Sequence, residues 1–267
     1  MAVFLKLVEM DLKVCLQYKL GFFITVFVQP FEILVIHLLF KGLYAYNQTQ
    51  LVQGYSLNEM IWYFIVVRFV FIFIWNWTCV DMSDKIISGK LTLDLVRPVS
   101  VMKLELANAL GDRIMGVLLE FIPSMLLLSL LYPPKFLIAY SMLRFFIVII
   151  GSFLLYFMIS FFISLFAYPI KNSTTIIIVQ NFIIPAIGGI NFPLEFLPSG
   201  VNRVLDFLPF KYIFYWPIQF FLNRPATREP FFVFRIFLIQ MLFTLVFYLL
   251  SKLFYNHIAK EYCATGS

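Results

Sequence analysis

Charge is scarce in this chain: 13% of its 267 residues are Asp, Glu, Lys or Arg, and two are histidine. A soluble domain carries about 25% charged residues, so a water-solvated globule of this size would lack the ionic groups to cover its surface. Cysteine is equally thin. Cys15, Cys79 and Cys263 lie far apart and show neither disulfide nor metal-ligand spacing. The chain has no HExxH and no paired Cys/His set, which argues against a zinc enzyme. No G-x-x-x-x-G-K-[ST] occurs either. At the nearest approach, Gly89-Lys90, Leu91 stands where Ser or Thr would bind magnesium, and Asp84 where the first glycine belongs. Without a G-x-S-x-G or an evident Ser/His/Asp set, the polypeptide is expected neither to catalyse a reaction alone nor to bind ATP, a metal or another cofactor itself.

Hydrocarbon is abundant instead: 62% of residues are hydrophobic and 19% aromatic, and the mean hydropathy is +0.93. These values exclude a disordered chain and a disulfide-rich secreted scaffold. The net charge of +6 does not indicate nucleic acid as a partner, because the basic residues flank apolar segments as membrane topology demands. A spanning helix needs roughly 20 apolar residues. Residues 21–40, 61–80, 114–132, 143–167 and 231–255 qualify, and 174–190 is a sixth, shorter candidate. The fold class is therefore an all-α integral membrane protein with six transmembrane helices, in one domain over residues 1–267. The 81–113 connector carries Lys85, Lys90, Arg97, Lys103 and Arg113, and the N-terminal segment and tail add further lysines. The positive-inside rule places both termini in the cytoplasm.

Residues 1–20 are too interrupted by charge to form the h-region of a signal peptide. At about 100° per residue, Lys6, Glu9 and Lys13 share one stripe, opposite Phe4, Leu7, Val8, Val14, Cys15 and Tyr18. That pattern describes an amphipathic helix lying in the membrane interface.

Two connectors are informative. In 81–113, residues 83–88 read as short helical turns stopped by Gly89, the favoured residue beyond a helix end. Leu91, Leu93 and Leu95 then alternate with polar neighbours up to Arg97-Pro98. Ile86, Ile87, Leu91 and Leu95 need burial, in a partner's groove or against the chain's own helix ends. In 191–230, Pro193, Pro198, Pro209, Pro217, Pro225 and Pro230 divide the chain into pieces too short to span. The aromatic stretch 211–222 has the length of a re-entrant or interfacial segment, so an outer re-entrant helical hairpin is expected between helices 5 and 6. It would serve as a lid over an exit path or as a structural plug.

The interfacial helix, the six spans, the Ser88-Gly89-Lys90-Leu91…Leu95-Val96-Arg97-Pro98-Val99-Ser100 connector and the Phe192-Pro193-Leu194…Leu208-Pro209-Phe210-Lys211-Tyr212…Pro217 hairpin together resemble the ABC-2-type transporter permease family. The resemblance implies the transmembrane subunit of an ABC exporter. Two permease chains, identical or homologous, would pair in the cell membrane and be driven by two nucleotide-binding ATPase subunits that carry the ATP and magnesium. It further implies a coupling element at Asp84, Ile86, Ile87, Gly89, Leu91, Leu95, Arg97 and Pro98, a connecting helix over 1–19, and outer re-entrant helices over 192–222. The large extra domains of the lipopolysaccharide- and sterol-handling relatives are missing, so the cargo class stays open.

Ionisable groups within spans are functional candidates by default. Glu32 and Arg68 fall at equal depth on consecutive helices, about 12 Å below the outer face at 1.5 Å per residue, the geometry of an ion pair. In the family, spans two and five line the dimer cavity, which implies Arg68, Asn76, Gln180 and Asn181 as lining residues. Interhelical hydrogen bonding is the alternative role. Arg144 is expected to snorkel to the headgroups, and His37 to be a hydrogen-bonded packing residue. The many aromatic side chains suit a hydrophobic or amphipathic cargo, such as a drug, antibiotic, peptide or lipid-like molecule. Two other functions compete: a membrane-embedded lipid-modifying enzyme, which would need Glu32, Glu120 and Glu195 clustered, and an ion-coupled secondary carrier using Glu32 or Glu120.

Overall fold

The computed structural model describes the backbone of residues 2–17 and 19–265, and their side chains except at 2–4, 11, 15, 16, 19, 22, 23 and 260–265. The expected places of Phe4, Cys15 and Tyr18 therefore lie outside the described residues. Among those described there is no strand, only an isolated Val52–Tyr55 bridge in a loop. In chain order the helices are α1 (Ala2–Gln17), α2 (Lys19–Asn47), α3 (Leu57–Ile74), α4 (Thr78–Ile87) and α5 (Leu91–Leu95). They continue with α6 (Val101–Leu131), α7 (Ala139–Ser164), α8 (Ala167–Ile170) and α9 (Ser173–Ile187). Three short helices, α10 (Ser199–Leu205), α11 (Phe210–Ile213) and α12 (Tyr215–Phe221), precede the long α13 (Phe232–Thr265).

Five segments are long and apolar enough to cross a membrane, within α2, α3, α6, α7–α8 and α13. The sixth candidate, α9, is shorter than a straight crossing needs. Two other expected boundaries shift. The second span ends at Ile74 rather than at 80, because the chain breaks at Trp75–Trp77 before α4 starts. The third begins at Val101 rather than 114. Its first half is too polar for a hydropathy reading to include, and it is held by α1 packed along it.

Local chemistry sets the ends. α3 starts on a capping box: the Ser56 hydroxyl accepts from the Glu59 amide, and the Glu59 carboxylate accepts from the Ser56 amide. α9 starts on Asn172, whose side-chain oxygen accepts from the Thr174 and Thr175 amides. α4 stops before Gly89, whose φ of +76° is strained for any residue with a Cβ. α6 and α9 each contain a wide π-turn, over Val117–Phe121 and Val179–Ile183. Each is followed two residues later by a proline, Pro123 and Pro185. A proline donates no backbone hydrogen bond and its ring crowds the preceding turn, and a widened turn accommodates both effects.

α3 and α7 form the centre. In their most apolar stretches 61% and 67% of residues are buried, against 17% in α2 and α13, whose faces are left for lipid or another chain. The main core joins α3, α6, α7 and the consecutive helices α11 and α12. Trp62 stacks on Phe221 at 6.0 Å, and Phe145 meets Phe221 edge-on at 5.2 Å. Such pairs add about 0.5–1.5 kcal/mol each beyond area burial. Lipid supplies no hydrophobic drive between helices, so this close fit is what holds them. Glycine permits it at Gly188, where an added Cβ would stand 2.3 Å from Phe214 Cδ2. A second core, at the α4–α5 end, gathers Met82, Ile86, Leu91, Val101, Phe161, Ile176 and Ile258. It brings the starts of α6 and α9 together with the last turns of α7 and α13.

Candidate functional site

The connector from 81 to 100 folds into a small helical platform. Lys85, on α4, is held between two carboxylates: its Nζ lies 2.6 Å from Glu105 Oε1 on α6 and 2.9 Å from Asp94 Oδ2 on α5. Glu105 and Asp94 are almost fully buried, and Arg97 Nη1 lies 3.3 Å from Asp94 Oδ1. Burial alone would lower the Lys85 ammonium, but the Glu105 and Asp94 carboxylates outweigh it and hold its pKa above the usual lysine value. The cluster locks α4, α5 and the start of α6 into one unit.

That packing changes which side chains face outward. Ile86 and Leu91, expected to seek a partner, are 3% and 0% exposed and fill the second core. Leu95 is half-buried against the same core, while Asp84, Ile87, Arg97 and Pro98 are exposed and Gly89 forms the turn. The reason is geometric. α5 is a helical turn, not the extended alternation that 91–95 suggested, so Leu91 and Leu95 share a face and Leu93 points away. Leu93 (67% exposed) and Val96 (86%) replace Ile86 and Leu91 as uncovered apolar side chains beside Ile87.

On α1, Lys6, Glu9 and Lys13 are exposed, and Lys13 Nζ pairs with Glu9 Oε1 at 2.7 Å. Leu7 and Val8 are half-buried, but Val14 is exposed.

Within the helices, Arg68 Nη2 lies 2.7 Å from Glu32 Oε2, joining α3 to α2. His37 Nδ1 is 2.9 Å from the Tyr132 hydroxyl. The other expected lining residues turn inward. Asn76 is buried in the break after α3, its amide donating to the Ile74 carbonyl. Gln180 is buried in the α9 π-turn and donates to the Tyr156 hydroxyl at 3.2 Å, and Asn181 is half-buried. These two buried amides bind helices and turns within the chain. Glu32, Glu120 and Glu195 do not meet: the first pairs with Arg68, the second lies in the α6 π-turn, and the third belongs to the opposite end.

At that end residues 208–224 are largely internal, whereas 198–207, with α10, is mostly exposed. Pro193, Pro209 and Pro217 are buried with most of α11 and α12, whereas Phe192 and Pro198 are exposed. Glu195 Oε1 accepts from the Tyr55 hydroxyl at 3.0 Å and the Tyr215 hydroxyl at 2.8 Å. Gln219 donates to the Tyr55 hydroxyl, and the Tyr63 hydroxyl donates to the Gly189 carbonyl. Arg224 donates to the Gly54 carbonyl, lies 3.3 Å from Glu59 Oε1, and stacks 4.0 Å over the Tyr55 ring. Arg144 does not reach for headgroups. It is 2% exposed and donates to Asn223 Oδ1 and the Thr227 carbonyl, closing the 223–227 turn. Gln240 of α13 donates to the Val148 and Tyr212 carbonyls and the Ser152 hydroxyl, tying α7 to α11. Sequence reading missed Lys85, Asp94 and Glu105 as a unit, and Glu195 with its tyrosines. Only the Ser56-x-x-Glu59 capping pattern was open to a local search.

No curated protein and no solved structure matches the chain. The family description "ABC-2 family transporter protein" matches residues 31–266. That match covers all of the chain beyond α1 and the first turns of α2, and with the multi-pass helical build it identifies the chain as a member of the ABC-2 transporter family, a transmembrane subunit of the kind that works with ABC ATPases.

Proposed function

We propose that this chain is the permease half of an ABC exporter, paired with a second permease, identical or homologous, and driven by two separate ATPase subunits that bind ATP and magnesium. The observation that carries the reading is the α4–α5 platform. It is a unit braced by the Lys85 cluster that leaves Ile87, Leu93 and Val96 uncovered. An apolar face of this kind on a charged rim is what a docked subunit would cover. Closure of the ATPase dimer would press this platform, and the braced α4–α5–α6 unit would carry the motion into the helix bundle as a rigid body.

Several features support six crossings with both termini in the cytoplasm of a cell-membrane protein. Ile258 of α13, the start of α6 and the platform share one core, and α1 packs beside them. α9 begins in that core at Ile176, and the residues after it reach the Tyr63 hydroxyl through Gly189. On this reading its short helix would complete a crossing with help from the Gly188-Gly189 turn. The 192–222 segment is read as re-entrant, because the irregular turns between its short helices are tolerated at membrane depth where protein surrounds them. Glu32 and Arg68 would sit along the pathway or the permease–permease face, and a hydrophobic or amphipathic cargo would leave past the hairpin. A lipid-modifying enzyme fits less well, since its three carboxylates stand apart.

The test is ATPase stimulation in the purified permease–ATPase complex. Leu93→Asp and Val96→Asp are expected to abolish stimulation while membrane insertion and thermal stability stay within about 0.5 kcal/mol of the parent. Full stimulation in both variants would refute the docking assignment.

A further inference from the structure

A cavity of about 380 Å³ opens beside the platform, between the loop that follows α5, the last turns of α7 and the end of α13. Its rim carries Arg97, Lys252, Ser100 and Asn256, and its floor includes Phe161 and Tyr248. The one carboxylate lining it, Asp94, is paired with Lys85 and Arg97. Two cations and two neutral polar groups over an apolar floor fit an anion attached to a hydrocarbon.

Depth narrows the choice. Lys252 lies 20 residues beyond Phe232 on α13, about 30 Å along the helix at 1.5 Å per residue. That distance equals the hydrocarbon thickness of a bilayer, so Lys252 sits at headgroup level when the start of α13 is at the other surface. Leu245 and Leu249, seven and three residues before Lys252 on the same side of α13, are exposed and point toward the bilayer interior.

From this geometry we propose that the cavity holds the phosphate of an anionic phospholipid of the cytoplasmic leaflet, with its acyl chain along Leu245 and Leu249. The orientation rests on the reading above. Arg97 and Lys252 hold the phosphate, and Ser100 and Asn256 supply neutral hydrogen bonds. Because Arg97 is shared between this site and Asp94 of the platform, an occupied site braces the element that the ATPase would press.

The test counts lipids retained by the full-length permease in detergent, by native mass spectrometry without nucleotide, after incubation with phosphatidylglycerol, phosphatidylcholine or inorganic phosphate. Phosphatidylglycerol is expected to be retained in preference to phosphatidylcholine. Lys252→Gln should cut that retention about fivefold, the size of one lysine's attraction to an anionic headgroup, and Lys252→Arg should restore it. Lys41→Gln, which removes the same charge elsewhere on the chain, should change nothing. Equal retention of both lipids would overturn the proposal, as would equal loss in Lys252→Gln and Lys41→Gln, or displacement by inorganic phosphate. A failed lipid site with Leu93→Asp still uncoupling the ATPase rejects this inference alone. Intact stimulation in that variant rejects the docking reading instead.

Discussion

At the α4–α5 end, a lysine is wedged between two buried carboxylates and three apolar side chains, Ile87, Leu93 and Val96, are left uncovered. At the end that holds α11 and α12 the arrangement differs. Nearly all of α11 and α12 is buried, and the carboxylate of Glu195 is held by tyrosine hydroxyls rather than by a cation. Both ends use polar groups to fix irregular backbone, and both leave apolar side chains uncovered: at the second end these lie on and just after α10, where Val204 is 62% and Phe207 80% exposed. α11 and α12 themselves pack against α3, α7 and α13.

The sharpest way to break the first end is Lys85→Ala. It would leave Glu105, 1% exposed, and Asp94, 6% exposed, facing each other without their shared cation. Removing one partner of a buried pair costs roughly 3–5 kcal/mol, to be read as a fall in the thermal midpoint of the detergent-purified chain. The pH dependence has a definite sign. The folded pKa of Lys85 is raised above 10.5, so its contribution is fully present below that value and is lost only as pH rises through the higher folded pKa. The gap between parent and variant should therefore be flat from neutral pH to about 10 and shrink beyond it.

At the other end the corresponding change is steric. Gly188→Ala drives a Cβ to 2.3 Å from Phe214 Cδ2 and to 3.2 Å from the Phe210 carbonyl. Overpacking of this kind costs about 1–3 kcal/mol. ATPase coupling should survive it in whatever fraction stays folded, because the platform is untouched. The smallest effect is expected between the ends, at Glu32–Arg68. Both side chains are more than 40% exposed, and a double-mutant cycle on thermal stability should give a coupling of about 1 kcal/mol or less. A larger value would mean that another chain or lipid excludes water from the pair.

Parts of this layout were legible in the sequence. Gly89 marked the end of α4, because only glycine takes a positive φ without strain. Glu32 and Arg68 could be matched by counting 1.5 Å per residue along two consecutive helices. Proline spacing outlined the irregular 192–230 segment. Other parts were hidden. Hydropathy marks immersion in hydrocarbon, not helix length, so it missed the first half of α6 and ran the second span past Ile74. Lys85 and Glu105 are 20 residues apart on different helices, and no local pattern joins them. Leu91 and Leu93 look alike in the sequence, and the helical turn of α5 alone sends one inward and the other out.

The sequence by itself determined that the chain lives in lipid and is helical, because charge is too sparse for a water-facing surface and unpaired backbone is too costly in hydrocarbon. It also fixed the places where helices must stop, since proline and glycine act on the backbone locally. Only the tertiary structure decided which polar groups are joined and which apolar ones remain uncovered. Burial and ion pairing depend on distances between helices, and those are set when α1, α4, α5 and α6 pack together at one end and α11 and α12 pack on α3 and α7 at the other.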